Sequence, residues 1–427
     1  MALGCLDLVE VRPEARAVGN AGRASSGVRP WPAAGHAPLP PLPPLDGLTM
    51  ARLESRSTAE ALARLATRVE TTLASDEHGF PHYADQNTGS WSRSPAGDWC
   101  GGFWVGMLWL TALVTGEDRH RRAARAWVER LRPRRGSDTV YRGLLFWHGA
   151  AIGALLHGDH TAREVALEGA LALARLYNPR ARLIPLGDET GAMPHAGRDE
   201  ASIGGVPGTT PLLIWAGREI GDEGLEQMAV AHASRHAEIC VRADGSVNQS
   251  ASFDVGTGKL RRRYTHNGVG DDSTWARAQA WAMAGFAQAA RWQPRFREVV
   301  VQVSDWWVDH LPDDGVAFWD FDDPEIPNAN RDTSATAIAA AALLKAARLI
   351  PERERRYRET AERMVRALID RHLTPVGGED PRPPGILTDG CYDRRTGLAT
   401  RNELIWGDYY LLETLCALDE RLDPVLV

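Results

Sequence analysis

Four short segments of this 427-residue chain combine tryptophan with carboxylates, amides and glycine. They are Asp98-Trp99-Cys100-Gly101-Gly102-Phe103-Trp104; Tyr264-Thr265-His266-Asn267-Gly268 running on to Asp271-Asp272-Ser273-Thr274-Trp275-Ala276-Arg277-Ala278-Gln279-Ala280-Trp281; Phe318-Trp319-Asp320-Phe321 followed by Arg331-Asp332-Thr333-Ser334; and Ile405-Trp406-Gly407-Asp408-Tyr409-Tyr410. Flat aromatic faces stack on the C–H faces of sugars, and fixed polar groups read hydroxyls. Sugar chemistry is therefore the expectation. Arg277 and Trp281 lie four apart and share a face if helical, and an arginine fork there suits a carboxylate. The chain carries 15 Trp against 8 Tyr and 8 Phe. Trp99, Trp104, Trp281, Trp319 and Trp406 are expected at the loop-side ends of buried helices. Trp109 and Trp215 read as core filling.

Other signals are weaker. His232 and His236 stand at helical i,i+4 spacing, but no Glu follows the first and their helix reads as an outer one, so no metal is expected. His195, in Met193-Pro194-His195, suits either an acid/base or an ordinary loop position. No GxSxG elbow, P-loop or GxGxxG fingerprint occurs, and no cofactor is expected. Lys and Arg total 49 against 56 Asp and Glu, a formal charge of −7, which disfavours nucleic acid as a partner. No apolar run is long enough to span a membrane. The five cysteines (Cys5, Cys100, Cys240, Cys391, Cys416) are scattered, so a reducing cytosol is the expected compartment. The ligand expected is a small saccharide or a uronate-like molecule. The oligomeric state stays open.

The elements that must position these residues read as helices. Leu62, Leu65, Val69 and Leu73 step by three and four, as do Phe296, Val299, Val303 and Trp306, and Tyr357, Ala361, Met364 and Leu368. These are one-striped surface helices. Between them lie segments apolar on nearly every side: Phe103–Val114, Leu144–Leu156, Pro211–Ala216, Ala335–Ala347 and Leu404–Leu418. Short turns such as Thr115-Gly116-Glu117-Asp118 and Ile220-Gly221-Asp222 join each buried helix to a striped one. Much longer connections lead back. Roughly twelve helices in this alternation predict an all-α (α/α)6 double ring, with the site in the long-loop rim. An open solenoid is the alternative, but its repeats are more regular. The barrel is expected to be one domain over residues 50–427. Residues 1–49, rich in Pro, Ala and Gly, read as a disordered tail, with Met50 as the expected natural start.

The four segments, in this order, resemble glycoside hydrolase family 88, the unsaturated glucuronyl hydrolases, from about Phe80 to Leu418. The most specific part runs from Phe253-Asp254 through Thr265-His266-Asn267-Gly268 to Ser273-Thr274-Trp275-Ala276-Arg277-Ala278-Gln279-Ala280-Trp281. The resemblance implies an (α/α)6 barrel that removes a 4,5-unsaturated uronic acid from oligosaccharides by hydrating its vinyl ether, without a metal. It implies that Trp99, His266, Arg277 and Trp281 line the uronate site, with Asn267 in place of a Gln. Trp406 joins them as a binding candidate.

The implied catalytic positions differ. Set against the family's His-Asp-Ile/Leu-Gly-Phe segment, Tyr141-Arg142-Gly143-Leu144-Leu145 places Arg142 where an Asp belongs. The principal acid/base Asp, six residues before the Pro matching Pro211, falls on Gly205. A His that helps the water falls near Gln249. Gly205 cannot donate a proton, and Arg142 stays cationic. Two readings follow. In one, Asp199 or Glu200, just upstream, serves as a relocated acid/base, or His195 does. In the other, the barrel is a non-hydrolytic or repurposed member, of a biosynthetic pathway for example, in which Arg142 and Arg277 hold an anionic sugar-like ligand.

Overall fold

Two kinds of helix alternate along the chain, and burial separates them. In the computed structural model, residues 55–75, 78–189, 197–375, 377 and 380–427 are described. Helix α1 spans Ser55–Ala74 and α2 Gly101–Thr115. Every residue of α2 from Gly101 to Ala112 is buried, whereas α3 (Asp118–Leu131) buries only His120, Ala124, Val128 and Leu131. Steps of four, four and three trace one stripe, so α3 lies on the outside with its Arg and Glu in water.

The same contrast repeats. Helix α4 (Arg142–Phe146) continues through a π-helical turn, Trp147–Ala151, into α5 (Ile152–His157), and α6 (His160–Ala174) covers it. Helix α7 (Thr209–Ile220) is followed by α8 (Glu223–Cys240), α9 (Ala276–Trp292) by α10 (Arg297–His310), and α11 (Thr333–Leu349) by α12 (Glu354–Arg371). Helix α13 (Ile405–Leu418), buried from Ile405 to Cys416, returns to pack on α2 and α1 and closes the ring. Among the described residues the result is an (α/α)6 barrel with six buried rods inside and six striped helices outside.

The short turns use the expected chemistry. Gly116, Gly158 and Gly221 end inner helices in the left-handed conformation (φ 71, 61 and 72°). Asp159 and Asp222 then accept from Ala162 N and Gly224 N and start α6 and α8. The long connections gather at the opposite end, where each inner helix begins.

Those connections are not irregular throughout, as the helical pattern alone would suggest. Strands β1 (Phe80–Asp85), β2 (Trp91–Ser94) and β6 (Asn402–Leu404) form an antiparallel sheet in the order β2-β1-β6. Strands β3 (Glu200–Ser202), β4 (Ser250–Phe253) and β5 (Leu260–Tyr264) form a second, in chain order. Ser202 pairs with Ser250 and Ser250 with Tyr264, so these three side chains share one face of it. The expectations for residues 1–49 and for His195 fall outside the described residues. No helix among the described residues is long and apolar enough to cross a membrane.

Candidate active site

Aromatic rings from three connections and three inner helices meet where the inner helices begin. Trp99, just before α2, lies 4.7 Å from Trp406 of α13 and 6.0 Å from Tyr141, which precedes α4. Its indole N–H donates to the Tyr392 hydroxyl at 3.3 Å. Tyr392 stands edge-on to Trp406 at 5.2 Å, and His82 of β1 sits within 5.3 Å of Tyr392 and 5.9 Å of Trp406. Below them Phe103 stacks on Trp281 at 6.2 Å. These rings form a cup.

Each wall has a physical support. The Asp332 carboxylate, fully buried, caps α11 by accepting from the backbone of Ser334 and Ala335. It also accepts from the Ser334 hydroxyl, and that hydroxyl in turn accepts from the Trp406 indole at 3.0 Å. Arg277 binds Asp332 at 2.5 Å and donates to the carbonyls of Cys391 and Tyr392. Its guanidinium lies over the Trp275 ring and is 2 % exposed. Arg277 therefore braces the segment that carries Tyr392.

The rim opposite is built on Gln249. Its Oε1 accepts from the Thr265 hydroxyl and from the backbone N–H of His266 and Asn267. Three donors on one oxygen assign the amide's orientation, so Nε2 donates, to Asn267 Oδ1 at 2.7 Å and to His266 Nε2 at 2.8 Å. His266 thus accepts at Nε2 and carries its proton on Nδ1, which faces the Ser250 hydroxyl at 3.5 Å.

Between rim and cup lies the inner face of the second sheet. Tyr264 donates to Glu200 Oε2 at 2.6 Å, and Tyr141 donates to the Ser202 hydroxyl at 3.5 Å. Burial, reinforced by the Glu200 charge, pushes the Tyr264 phenol far up, and burial raises Tyr141 to about 12. Both stay protonated at working pH. Burial pushes His82 down, so it is held neutral despite Asp98 at 3.9 Å.

No family model matches the chain. The unsaturated glucuronyl hydrolase of Bacillus sp. (strain GL1) is 34% identical over 350 residues, covering 80% of this chain and 91% of that protein. The chain belongs to the unsaturated glucuronyl hydrolase family. Its homologues include the unsaturated chondroitin disaccharide hydrolase of Streptococcus agalactiae, 28% identical over 329 residues, 74% of this chain and 80% of that protein. The crystal structure of the Bacillus sp. GL1 enzyme superimposes with a TM-score of 0.77 at 32% identity, over 86% of this chain and 97% of that one. A variant of UGL with dGlcA-Glc-Rha-Glc gives 0.79 at 32% identity, over 85% and 97%.

Within this unsaturated glucuronyl hydrolase fold, the sequence-derived residues separate into groups. Trp99, Trp281 and Trp406 share the cup, while His266 and Asn267 share the Gln249 rim. Trp104 does not join them: it faces Trp127 of α3 at 5.9 Å, and Trp319 donates to Asp323. Trp109 and Trp215 are buried, and Trp109 donates to the Gly149 carbonyl. Arg142 is not brought to Arg277. It turns to the carbonyls of Arg135 and Thr139, and burial lowers it to about 10. Its neighbour Tyr141 faces the cup instead. Gly205 likewise points at Val140, and its neighbour Gly204 faces Tyr141 and Trp281.

Asp199, in the turn before β3, and Glu200, the first residue of β3, point opposite ways. Asp199 pairs with Arg261 at 3.4 Å on the outer face, while Glu200 meets Tyr264 on the inner one. His232 and His236 are backbone staples. His232 accepts from Ile184 N and donates to the Gly205 carbonyl, and His236 bonds the His232 carbonyl. Among the described residues no cluster of His, Cys, Asp and Glu could hold a metal ion.

Sequence reading missed His82, Tyr141, Ser202, Tyr264 and Tyr392 as cup residues. Tyr264 opens a segment already singled out, without being assigned a role there. The others stand in short strands or loops without periodicity.

Proposed function

We propose that the protein acts on a saccharide ending in a 4,5-unsaturated uronic acid and that Glu200 is the acid/base. The observation that carries this is the placement of Glu200 on the inner sheet face, against Tyr264 and beside the aromatic cup. A sugar ring stacked in the cup would lie against that face. In this reading Glu200 delivers a proton to C4 of the C4=C5 bond. Water then adds to C5 and returns a proton to Glu200. The hemiketal opens and releases the next sugar.

Incubation with unsaturated uronyl disaccharides, followed through loss of the alkene's ultraviolet absorbance, tests this. Glu200→Gln is expected to lower turnover by about 100-fold or more, the range of a lost acid/base. Asp199→Asn, on the outer face, is expected to leave it within about threefold, the small effect usual for an exposed pair. Equal rates for Glu200→Gln and the parent protein would sink the assignment.

One observation favours a second reading. The two residues that face the cup floor, Tyr141 and Gly204, carry no carboxyl group. A non-hydrolytic member would bind an anionic sugar-like ligand there. Calorimetric binding of uronates with no alkene loss at any pH would establish it.

A further inference from the structure

Gln249 is 2 % exposed, and its side chain makes five hydrogen bonds, all to the turn at residues 265–267. Their directions are fixed. The Gly268 N–H donates to Thr265 Oγ1 at 2.9 Å, and that hydroxyl donates onward to Gln249 Oε1 at 2.6 Å. The backbone N–H groups of His266 and Asn267 reach the same oxygen at 3.1 and 3.0 Å. A backbone N–H can only donate, so the amide cannot be turned over to place Nε2 there.

The consequence falls on the two side chains that Nε2 meets. An amide NH2 has two protons to give and no lone pair to offer. Asn267 therefore presents Oδ1, at 2.7 Å, and its own NH2 turns away from Gln249. His266 presents a bare Nε2, at 2.8 Å, so its ring proton sits on Nδ1, on the side of Ser250. A proton on Nε2 would set N–H against N–H. An acid or base at that nitrogen would have to break the Gln249 bond in every turnover. The charged groups of the adjoining elements engage other atoms. Arg395 bonds the Thr265 and His266 carbonyls, and Asp271 accepts from Thr265 N. Glu200 accepts from Tyr264, whose ring lies 6.2 Å from the imidazole.

We propose that Gln249 is a positioning residue that sets the hydrogen-bonding polarity of the rim. It holds His266 as the Nδ1–H tautomer, a fixed wall and not an acid or base, and it orients the Asn267 amide. The kinetic part rests on the saccharide reading above; the tautomer does not. Gln249→Glu in the full chain is the test. It keeps an oxygen for the three donors and replaces the Nε2 donor with a second acceptor. The Asn267 amide must then turn over, and His266 must carry its proton on Nε2. The first readout is nitrogen NMR of histidine-labelled protein at neutral pH, with the His266 signals identified by their loss in His266→Asn. The parent is expected to show a bare Nε2, and Gln249→Glu a protonated one. The second readout is alkene loss from unsaturated uronyl disaccharide. The KM of Gln249→Glu should rise about tenfold or more with kcat within about threefold, as for contacts shared by ground and transition states.

A protonated Nε2 in the parent would overturn the proposal, and that measurement needs no Gln249 variant to fold. A bare Nε2 in Gln249→Glu would overturn it as well. A kcat lowered about 100-fold or more at unchanged KM would place His266 in acid–base chemistry and overturn its role as a wall. A parent protein that neither binds nor consumes the disaccharide would overturn the saccharide reading, and the nitrogen shifts alone would then decide the lock on His266.

Discussion

Tyr264 and Glu200 meet at 2.6 Å across the inner face of the second sheet, with the phenol as donor. They stand on β5 and β3, the outer strands, so β4 must lie between them in the right register. The bond fixes the orientation of the carboxylate. Tyr264→Phe keeps the ring and removes the donor. A hydrogen bond to a charged group contributes about 1.5–3 kcal/mol, so turnover of unsaturated disaccharide is expected to fall about tenfold or more while the melting temperature moves little. Unchanged kinetics would show that Glu200 needs no such orientation.

Arg277 and Asp332 form a pair with 2 % and 0 % side-chain exposure. Replacing Arg277 by Met would leave a buried carboxylate without its cation, at a cost of about 3–5 kcal/mol. It would also free the Cys391 and Tyr392 carbonyls. The expected result is a large drop in the denaturation midpoint together with altered tryptophan emission from the cup. Arg277→Lys should recover only part, since one ammonium cannot span all three acceptors. If Arg277 instead served only as a ligand clamp, binding would weaken and stability would not.

Asp408, in the first turn of α13, is fully buried beside Glu403, and Arg68 binds Glu403 with two hydrogen bonds. One guanidinium faces two carboxyl groups. Burial, then the Glu403 charge, raises Asp408 well above the carboxylate range. Its folded value exceeds its unfolded value of about 3.9, so its contribution is full at low pH and is lost as pH rises toward the folded value. Asp408→Asn is fixed in the neutral form and lacks that slope. Its melting temperature should gain on the parent's as pH rises above about 4; a constant difference would count against the shared-charge account.

Three buried histidines give the opposite slope. Burial lowers His148 to about 3 and His236 to about 4, and lowers His232 well below the ordinary value. Unfolding lets each take a proton near pH 6.5, so stability is lost as pH falls below that value. Each contributes about 1.4 kcal/mol per pH unit across its window. His236→Asn should flatten the dependence of denaturation free energy on pH between about 6.5 and 4 by up to one proton. An unaltered slope would show that His236 protonates in the folded state.

The helices and their two kinds were legible because each rests on local periodicity. Burial of α2 on all sides and the one stripe of α3 are written in consecutive residues. The strands were not legible, since they run three to six residues and β1 pairs with β6 more than 300 positions away. No periodicity survives in so short a run.

By itself, the sequence determined the alternation of buried and striped helices, the glycine and aspartate turns at one end, and the presence of aromatic and polar residues at the other. Only the tertiary structure decided which of the candidate residues turn toward the cup. Tyr141 rather than Arg142, Gly204 rather than Gly205, Glu200 rather than Asp199 and Trp99 rather than Trp104 turn inward. One residue's advance rotates a side chain by about 100° on a helix and about 180° on a strand. That final rotation depends on contacts distant in the chain: the carbonyls that capture Arg142, the arginine that draws Asp199 outward, and the Trp127 ring against which Trp104 packs.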